Sequence, residues 1–171
     1  LVKLDLPDDA ELKFIFKERL LIYLRSDWAI DGSNYPGDAL LAIGLDDFLQ
    51  GKRDFEILFS PEERIAFNSL VHTRDHLIYS TLDNVSSRLW RLRLSNDLWL
   101  KEEIGLPGLG TVELASSSER DNSFFFFYSD FLTPSSLFHV DDGGIPRKVK
   151  TSPAWFDPTG MRVVQNEATS K

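Results

Sequence analysis

Two histidines in the stretch HTRDH have the spacing of a metal-binding pair. His72 and His76 stand four residues apart, and on a helix that spacing puts both rings on one side, where they can bind a zinc ion. The surrounding residues instead predict a strand, a turn and a second strand, an arrangement that would separate the rings. We therefore expect ordinary turn histidines and no metal site.

Adjacent carboxylates are the next candidates, because paired acids can perform general acid–base catalysis. The sequence has such pairs at Asp8–Asp9, Asp46–Asp47, Glu62–Glu63, Glu102–Glu103 and Asp141–Asp142. Neighbouring residues of a strand point to opposite faces, so two adjacent acids do not meet on one substrate. We interpret these pairs as solvated turns and strand ends. An enzyme with an unrecognised pocket, built from loop acids such as Asp27, Asp31 and Asp38, is the weakest of our functional hypotheses.

Motifs for nucleophilic or phosphate chemistry are absent from the sequence. It contains no G-x-S-x-G nucleophile elbow, and the nearest string, GSNYPG at Gly32, lacks that spacing. The glycines of GLPGLG, residues 105–110, do not follow the dinucleotide fingerprint, and no Walker-type lysine follows a glycine loop. We predict no catalytic residue and no cofactor, and the sequence assigns no substrate-binding residue.

A strip of basic and aromatic residues occurs in SRLWRLRL, where Arg88, Arg91 and Arg93 flank Trp90. We expect these arginines to share one face, as the solvent-facing edge of a strand and not as a binding strip. The glycosylation sequon at Asn84 has meaning only in a eukaryotic secretory setting.

Composition narrows the functional class further. The 171 residues suffice for one domain or a piece of a larger one, with 42% hydrophobic and 27% charged residues. A net charge of -8 argues against binding to nucleic acid or anionic lipid. No apolar run approaches the ~18 residues of a membrane helix, and no cysteine is available for disulfides or thiolate chemistry. We expect no targeting segment in this fragment, and the compartment, cytoplasmic or periplasmic, stays open.

Most of the chain has the pattern of short antiparallel strands. Three pairs of strands resemble one another: RLLIYLRSD with DALLAIGLD, HLIYSTLD with SRLWRLRLS, and FFFFYSDF with SSLFHVDD. Each pair is preceded and followed by another extended run, which gives four strands in about fifty residues, three times over. We predict an all-β fold, a partial β-propeller of about three blades of four antiparallel strands each, with a β-sandwich as the rival interpretation.

The predicted blades cover residues 1–60, 61–107 and 108–161. The stretches Phe124–Phe127 and Leu20–Leu24 are apolar without alternation, which predicts strands buried on both faces between neighbouring blades. A single helical turn is predicted over Asp46–Arg53, ending at Gly51.

The end of the chain, SPAWFDPTGMRVVQNEATSK, resembles the segment that leaves the propeller in the prolyl oligopeptidase family of serine peptidases. The matching residues are Pro153, Phe156, Asp157, Gln165, Ser170 and Lys171. The stretch FFYSDFLTPSSLFHVD is similar to that family's aromatic strand and Thr-Pro turn, and residues 24–61 are similar to an earlier blade in a bacterial branch. The resemblance covers essentially the whole chain.

The resemblance implies a seven-bladed propeller that caps an α/β-hydrolase domain and admits only short peptides. This chain would then hold about the last three blades, with residues 162–171 as the exit strand to a hydrolase domain that it lacks. We expect a non-catalytic gating portion of a serine oligopeptidase that hydrolyses short, proline-containing peptides. The alternative is a free-standing propeller-type protein-interaction module. Three blades leave two blade faces open, and we expect homo-oligomers through them.

Overall fold

The computed structural model describes residues 4–164, and most of its regular structure is antiparallel sheet. Its strands are β1 (Glu11–Phe16), β2 (Arg19–Tyr23), β3 (Trp28–Ile30), β4 (Ser33–Tyr35), β5 (Leu40–Gly44), β6 (Glu56–Phe59), β7 (Ile65–His72), β8 (His76–Asp83), β9 (Ser86–Ser95), β10 (Leu98–Ile104), β11 (Thr111–Ser117), β12 (Phe124–Ser129), β13 (Ser136–Val140) and β14 (Arg147–Thr151). Within that range the one helix is α1 (Leu45–Leu49). No helix among the described residues is long and apolar enough to cross a membrane.

Three four-stranded sheets follow one another along the chain. The first has the order β1-β2-β5-β6, the second β10-β9-β8-β7 and the third β11-β12-β13-β14, while β3 and β4 form a separate two-stranded ribbon. This confirms the prediction of about three blades of four antiparallel strands. One sheet lies inside each predicted range, but the ranges themselves stay a prediction. The predicted exit strand lies, for residues 165–171, outside the described residues.

The chain divides into two compact units between Phe67 and Asn68, and the first unit contains the first sheet. All five residues of Leu20–Leu24 are buried, so both faces of β2 are covered, as predicted. One of those faces belongs to an apolar cluster that also includes Tyr35, Phe48 and Phe55. The β3–β4 ribbon and α1 therefore cover one face of the first sheet.

The helical turn predicted over Asp46–Arg53 is present as helix α1, which begins one residue earlier than expected. Helix α1 buries Phe48, and the Gly51 N–H donates to the Phe48 carbonyl at 3.0 Å. Gly51 has a φ of +90°, a conformation that side chains other than glycine rarely adopt. The glycine ends the helix and turns the chain toward β6.

The second unit is built on contact between the second and third sheets. Phe124, Phe126 and Tyr128 project from one side of β12 into an apolar cluster with Ile78 and Leu89. The prediction that Phe124–Phe127 are all core was wrong for the other side of the strand: Phe125 is half-buried and Phe127 is 40% exposed. The reason is that the other face of the third sheet is open, so β12 alternates instead of being buried throughout.

Candidate functional site

The HTRDH stretch forms the tight turn between β7 and β8. His72 ends β7 and His76 begins β8, which confirms the predicted strand, turn and strand. His72 Nε2 lies 3.6 Å from Glu119 Oε1. No group of three or more potential metal ligands occurs among residues 4–164.

The same turn is joined to the third sheet through Asn122, which precedes β12. The Asp75 N–H donates to Asn122 Oδ1 at 2.9 Å, and Asn122 Nδ2 donates to Asp75 Oδ2 at 3.0 Å. Beside them the Arg74 N–H donates to the Asp121 carbonyl at 3.0 Å. Asn122 is buried and Asp75 is half-buried, so their bonds are partly shielded from water and hold the two sheets together at this end. We call Asn122 and Asp75, with their bonds, the Asn122 latch.

His76 lies next to the Asn122 latch in a partly buried position. Burial lowers the pKa of His76, the positive charge of Arg91 lowers it further, and its hydrogen bond with Asn122 acts in the opposite direction. The net shift keeps the imidazole neutral at pH 7. His76 therefore contributes to the packing of the turn. None of the hydrogen bonds described at this site joins it to a nucleophile.

The opposite end of the same two sheets is joined by Ser87 and Gly110. The Ser87 N–H donates to the Gly110 carbonyl at 2.7 Å, and the Val112 N–H donates to Ser87 Oγ at 3.0 Å. A Cβ on Gly110 would lie 2.4 Å from the Ser129 carbonyl oxygen and 2.7 Å from the Tyr128 ring. Glycine is therefore required here so that the chain can pass close to β12.

A cleft of about 560 Å³ opens at this second end, between the β8–β9 turn and the β10–β11 connection. Its wall carries Arg88 and Glu103, which form two parallel hydrogen bonds of 2.9 and 2.7 Å. The bond from Arg88 is the main reason that the pKa of Glu103 is lowered. Leu106 and Leu109 supply apolar lining. A paired acid held ionised by arginine is unsuited to proton transfer near neutral pH.

The arginines of SRLWRLRL do not share one face, so that expectation was wrong. Arg88 pairs with Glu103, whereas Arg91 pairs with Glu102. Residues three apart on a strand point to opposite sides, and the two adjacent glutamates do the same. Arg88 also lies over the Trp90 ring, with its guanidinium carbon 4.7 Å from the ring centroid. These contacts stabilise the pairing of β9 with β10, and the arginines do not form a basic strip.

Two of the three loop acids of the first unit, Asp27 and Asp38, have separate structural partners. Asp27 Oδ1 accepts the Gly37 N–H at 2.7 Å, and Asp38 Oδ1 accepts the Tyr23 hydroxyl at 2.7 Å. Burial, and then this bond to Asp38, raises the pKa of Tyr23 to about 12. Asp31 stands at the ribbon turn, where it and Gly32 both have positive φ, the geometry of a tight hairpin. Two of the three acids thus stabilise loops.

The joining residues Asn122, Ser87 and Gly110 were not singled out by the sequence. Gly110 was considered only within GLPGLG, which does not match the dinucleotide-binding fingerprint. Polar residues in turns are too common to indicate a contact between sheets. The repeat itself was the usable signal, because turns that recur at the ends of successive blades must lie next to one another.

Comparison with known proteins identifies the fold family. Residues 33–149 match the family model of the prolyl oligopeptidase N-terminal β-propeller domain. An uncharacterized peptidase of Sinorhizobium fredii is 32% identical over 174 residues, and another of Rickettsia prowazekii is 31% identical over 177 residues. Each alignment covers 99% of this chain and 24% of the relative, so the chain spans about a quarter of the length of these relatives.

Solved structures show the same architecture. A post-proline cleaving enzyme from Rickettsia typhi matches with a TM-score of 0.81 at 26% identity, over 90% of this chain and 23% of that chain. Oligopeptidase B from Trypanosoma brucei matches with a TM-score of 0.56 at 14% identity, over 84% of this chain and 20% of that chain, which shows the fold alone. The matched family model spans more than half of the chain. The chain belongs to the family of prolyl oligopeptidase N-terminal β-propeller domains.

Proposed function

We propose that this chain is the non-catalytic, gating portion of a serine peptidase of the prolyl oligopeptidase type that hydrolyses short, proline-containing peptides. The observation that carries the proposal is the family match together with its extent, since the chain spans about a quarter of the length of its peptidase relatives. The sequence also contains no nucleophile elbow. The catalytic serine, aspartate and histidine then belong to another part of the parent protein.

The way the second and third sheets are joined supports a gating role. The Asn122 latch fixes one end of the pair of sheets, and the bonds of Ser87 to Gly110 and Val112 fix the other. Sheets held at both ends cannot part without breaking these hydrogen bonds, each of which contributes about 1 kcal/mol. Such a wall excludes a folded or long polypeptide while a short peptide still enters by another route.

The segment after β14 supports contact with a further part of the parent. Trp155 is 95% exposed, Phe156 is 51% exposed and Met161 is 56% exposed. Large apolar side chains exposed to water favour burial against a partner surface, at roughly 25 cal/mol per Å² of apolar area. A hydrolase domain in the parent provides such a surface.

A peptide-length series on the full-length parent tests the gating proposal. We expect the parent to cleave a short proline-containing peptide and to reject one of about thirty residues. Asn122→Ala should raise the relative rate on the long peptide severalfold, because it releases one end of the joined sheets. The matched control is Asn34→Ala, at an exposed position of the β3–β4 ribbon.

If wild type and Asn122→Ala have the same ratio of rates on the long and the short peptide, gating by these blades is contradicted. A parent that cleaves no peptide, and instead binds a protein partner through this chain, would favour the interaction-module hypothesis over the peptidase.

A further inference from the structure

His76 lies on the face of the second sheet that packs against the third sheet, at the end held by the Asn122 latch. It begins β8, and Ile78, two residues further on, belongs to the apolar cluster between these sheets. Alternate residues of a strand share a face, so the imidazole points toward the third sheet. Its Nδ1 atom is shielded from water and has no hydrogen-bond partner among residues 4–164. Imidazolium carries a proton on each ring nitrogen, and the proton on Nδ1 would have no acceptor here.

Two arginines of β9 stand on the same face as His76. Arg93 is directly opposite His76, and Arg91, two residues away on β9, is a diagonal neighbour. The side chain of Arg91 is only 13% exposed and is held in place, because it pairs with Glu102 and its Nη1 donates to the Asp142 carbonyl at 3.2 Å. A charge shielded from water is screened weakly by salt. A positive charge on His76 would therefore be repelled by Arg91.

The other ionisable groups around His76 come from four elements. They are His72, Arg74 and Asp75 at the β7–β8 turn, Glu102 of β10, Glu119 and Asp121 of the β11–β12 turn, and Asp142 of the β13–β14 turn. Burial and then Arg91 lower the pKa of His76 below its ordinary 6.5. The hydrogen bond with Asn122 and the charges of Asp75 and Glu102 act in the opposite direction without restoring that pKa. The neutral ring is thus the form that fits the joined sheets.

We propose that His76 makes the Asn122 latch sensitive to acid, because a proton on its ring opens the contact between the β7–β8 turn and the third sheet. His76 directly follows Asp75 in the chain, so a ring that moves out to water takes the Asp75 N–H away from Asn122 Oδ1. In water both ring nitrogens find acceptors, and the repulsion from Arg91 is screened. This inference concerns how the two sheets are joined and does not depend on the proposed peptidase function.

The direction of the pH dependence follows from the proton affinities of the two forms of the turn. The pKa of His76 is lowered only in the closed form, so the open form binds the proton more readily. The closed form is therefore favoured most above pH 6.5 and loses its advantage as the pH falls from 6.5 through the lowered pKa. One proton changes the ratio of closed to open turns by at most about tenfold per pH unit. Ordinary aspartates, with a pKa of about 3.9, titrate below this window.

Amide hydrogen exchange in the full-length parent tests the proposal, measured at single amides by mass spectrometry with electron-transfer fragmentation. The rate at each pH is divided by the intrinsic exchange rate, so that only the protection of the amide is compared. In wild type, protection of the Asp75 amide should fall severalfold between about pH 7 and about pH 5.5. The Val112 amide, which donates to Ser87 Oγ at the other end of the same sheets, should keep its protection.

Two histidine variants separate His76 from its neighbours. In His76→Gln the side chain stays polar but cannot titrate, so protection of the Asp75 amide should not change with pH in this window. The matched control, His72→Gln, removes the other histidine of the same turn and should still show the fall. Exchange of the ring Cε1 hydrogen gives the pKa of His76 in wild type even where His76→Gln does not fold. The proposal is overturned by constant protection of Asp75 in wild type, by the same fall in His76→Gln, or by a His76 pKa of 6.5 or above.

Discussion

Asp130 shows how single polar residues hold the connections of this domain. Its carboxylate accepts the Tyr128 hydroxyl at 2.6 Å and the N–H groups of Leu132 and Thr133 at 2.8 and 2.7 Å. Burial by itself raises the pKa of Asp130, but these hydrogen bonds together outweigh it and hold the pKa below 3.8. The carboxylate thus fixes the turn between β12 and β13 only while it is ionised.

Acid should therefore weaken the fold through Asp130. The folded state binds the proton less readily than the unfolded chain, so this contribution to stability is present above pH 3.8 and is lost as the pH falls through the lowered pKa. We expect the urea midpoint of wild type to drop more steeply than that of Asp130→Asn between about pH 5 and about pH 2.5. Asp8→Asn, at an exposed residue, should follow wild type. Parallel pH profiles for wild type and Asp130→Asn would rule out this role.

At the scale of elements, the β3–β4 ribbon depends on contacts outside itself. Two short strands are only marginally stable alone, and Tyr35 anchors them to the first sheet. The Phe55 N–H donates to Tyr35 Oη at 3.0 Å, and the Tyr35 hydroxyl donates to the Arg53 carbonyl at 3.1 Å. The Tyr35 and Phe55 rings meet edge to face, with centroids 5.3 Å apart.

Tyr35→Phe should loosen the ribbon while keeping its aromatic packing. The change leaves the buried Phe55 N–H without its acceptor, at a cost of about 1–3 kcal/mol. Amide hydrogen exchange should show much faster exchange at Phe55 than in wild type. Asn34→Ala, at an exposed position of the same ribbon, should leave that amide protected. Unchanged protection in Tyr35→Phe would mean that the hydroxyl does not anchor the ribbon.

The strand pattern was predictable because alternation and apolar runs are local properties of the sequence. The continuous burial of Leu20–Leu24 followed directly from its composition. The same rule failed at Phe127, since a run of phenylalanines is equally compatible with one open sheet face. What covers a face depends on which element lies next to it, and no local pattern encodes that. For the same reason the ribbon's cover of the first sheet and the Asn122 latch could not be predicted.

At the scale of the whole molecule, the chain is a portion of a prolyl oligopeptidase-type β-propeller, and we propose that the chemistry lies elsewhere in its parent. Three antiparallel sheets and the family match define the architecture. Trp155 and Phe156 are exposed in the segment after β14, and their contact with a further part of the parent is a proposal. The sequence predicted this architecture from its repeats, whereas the gating role and the substrate class remain proposals.

The most direct test of the central claim is peptidase activity on a short proline-containing chromogenic peptide. This chain and the full-length parent are assayed in parallel, at equal molar concentration and with a serine-directed inhibitor as the control. We predict turnover by the parent, abolished by the inhibitor, and no turnover by this chain above the uncatalysed rate. Turnover by this chain alone would contradict the account, because it would require a catalytic site within these blades.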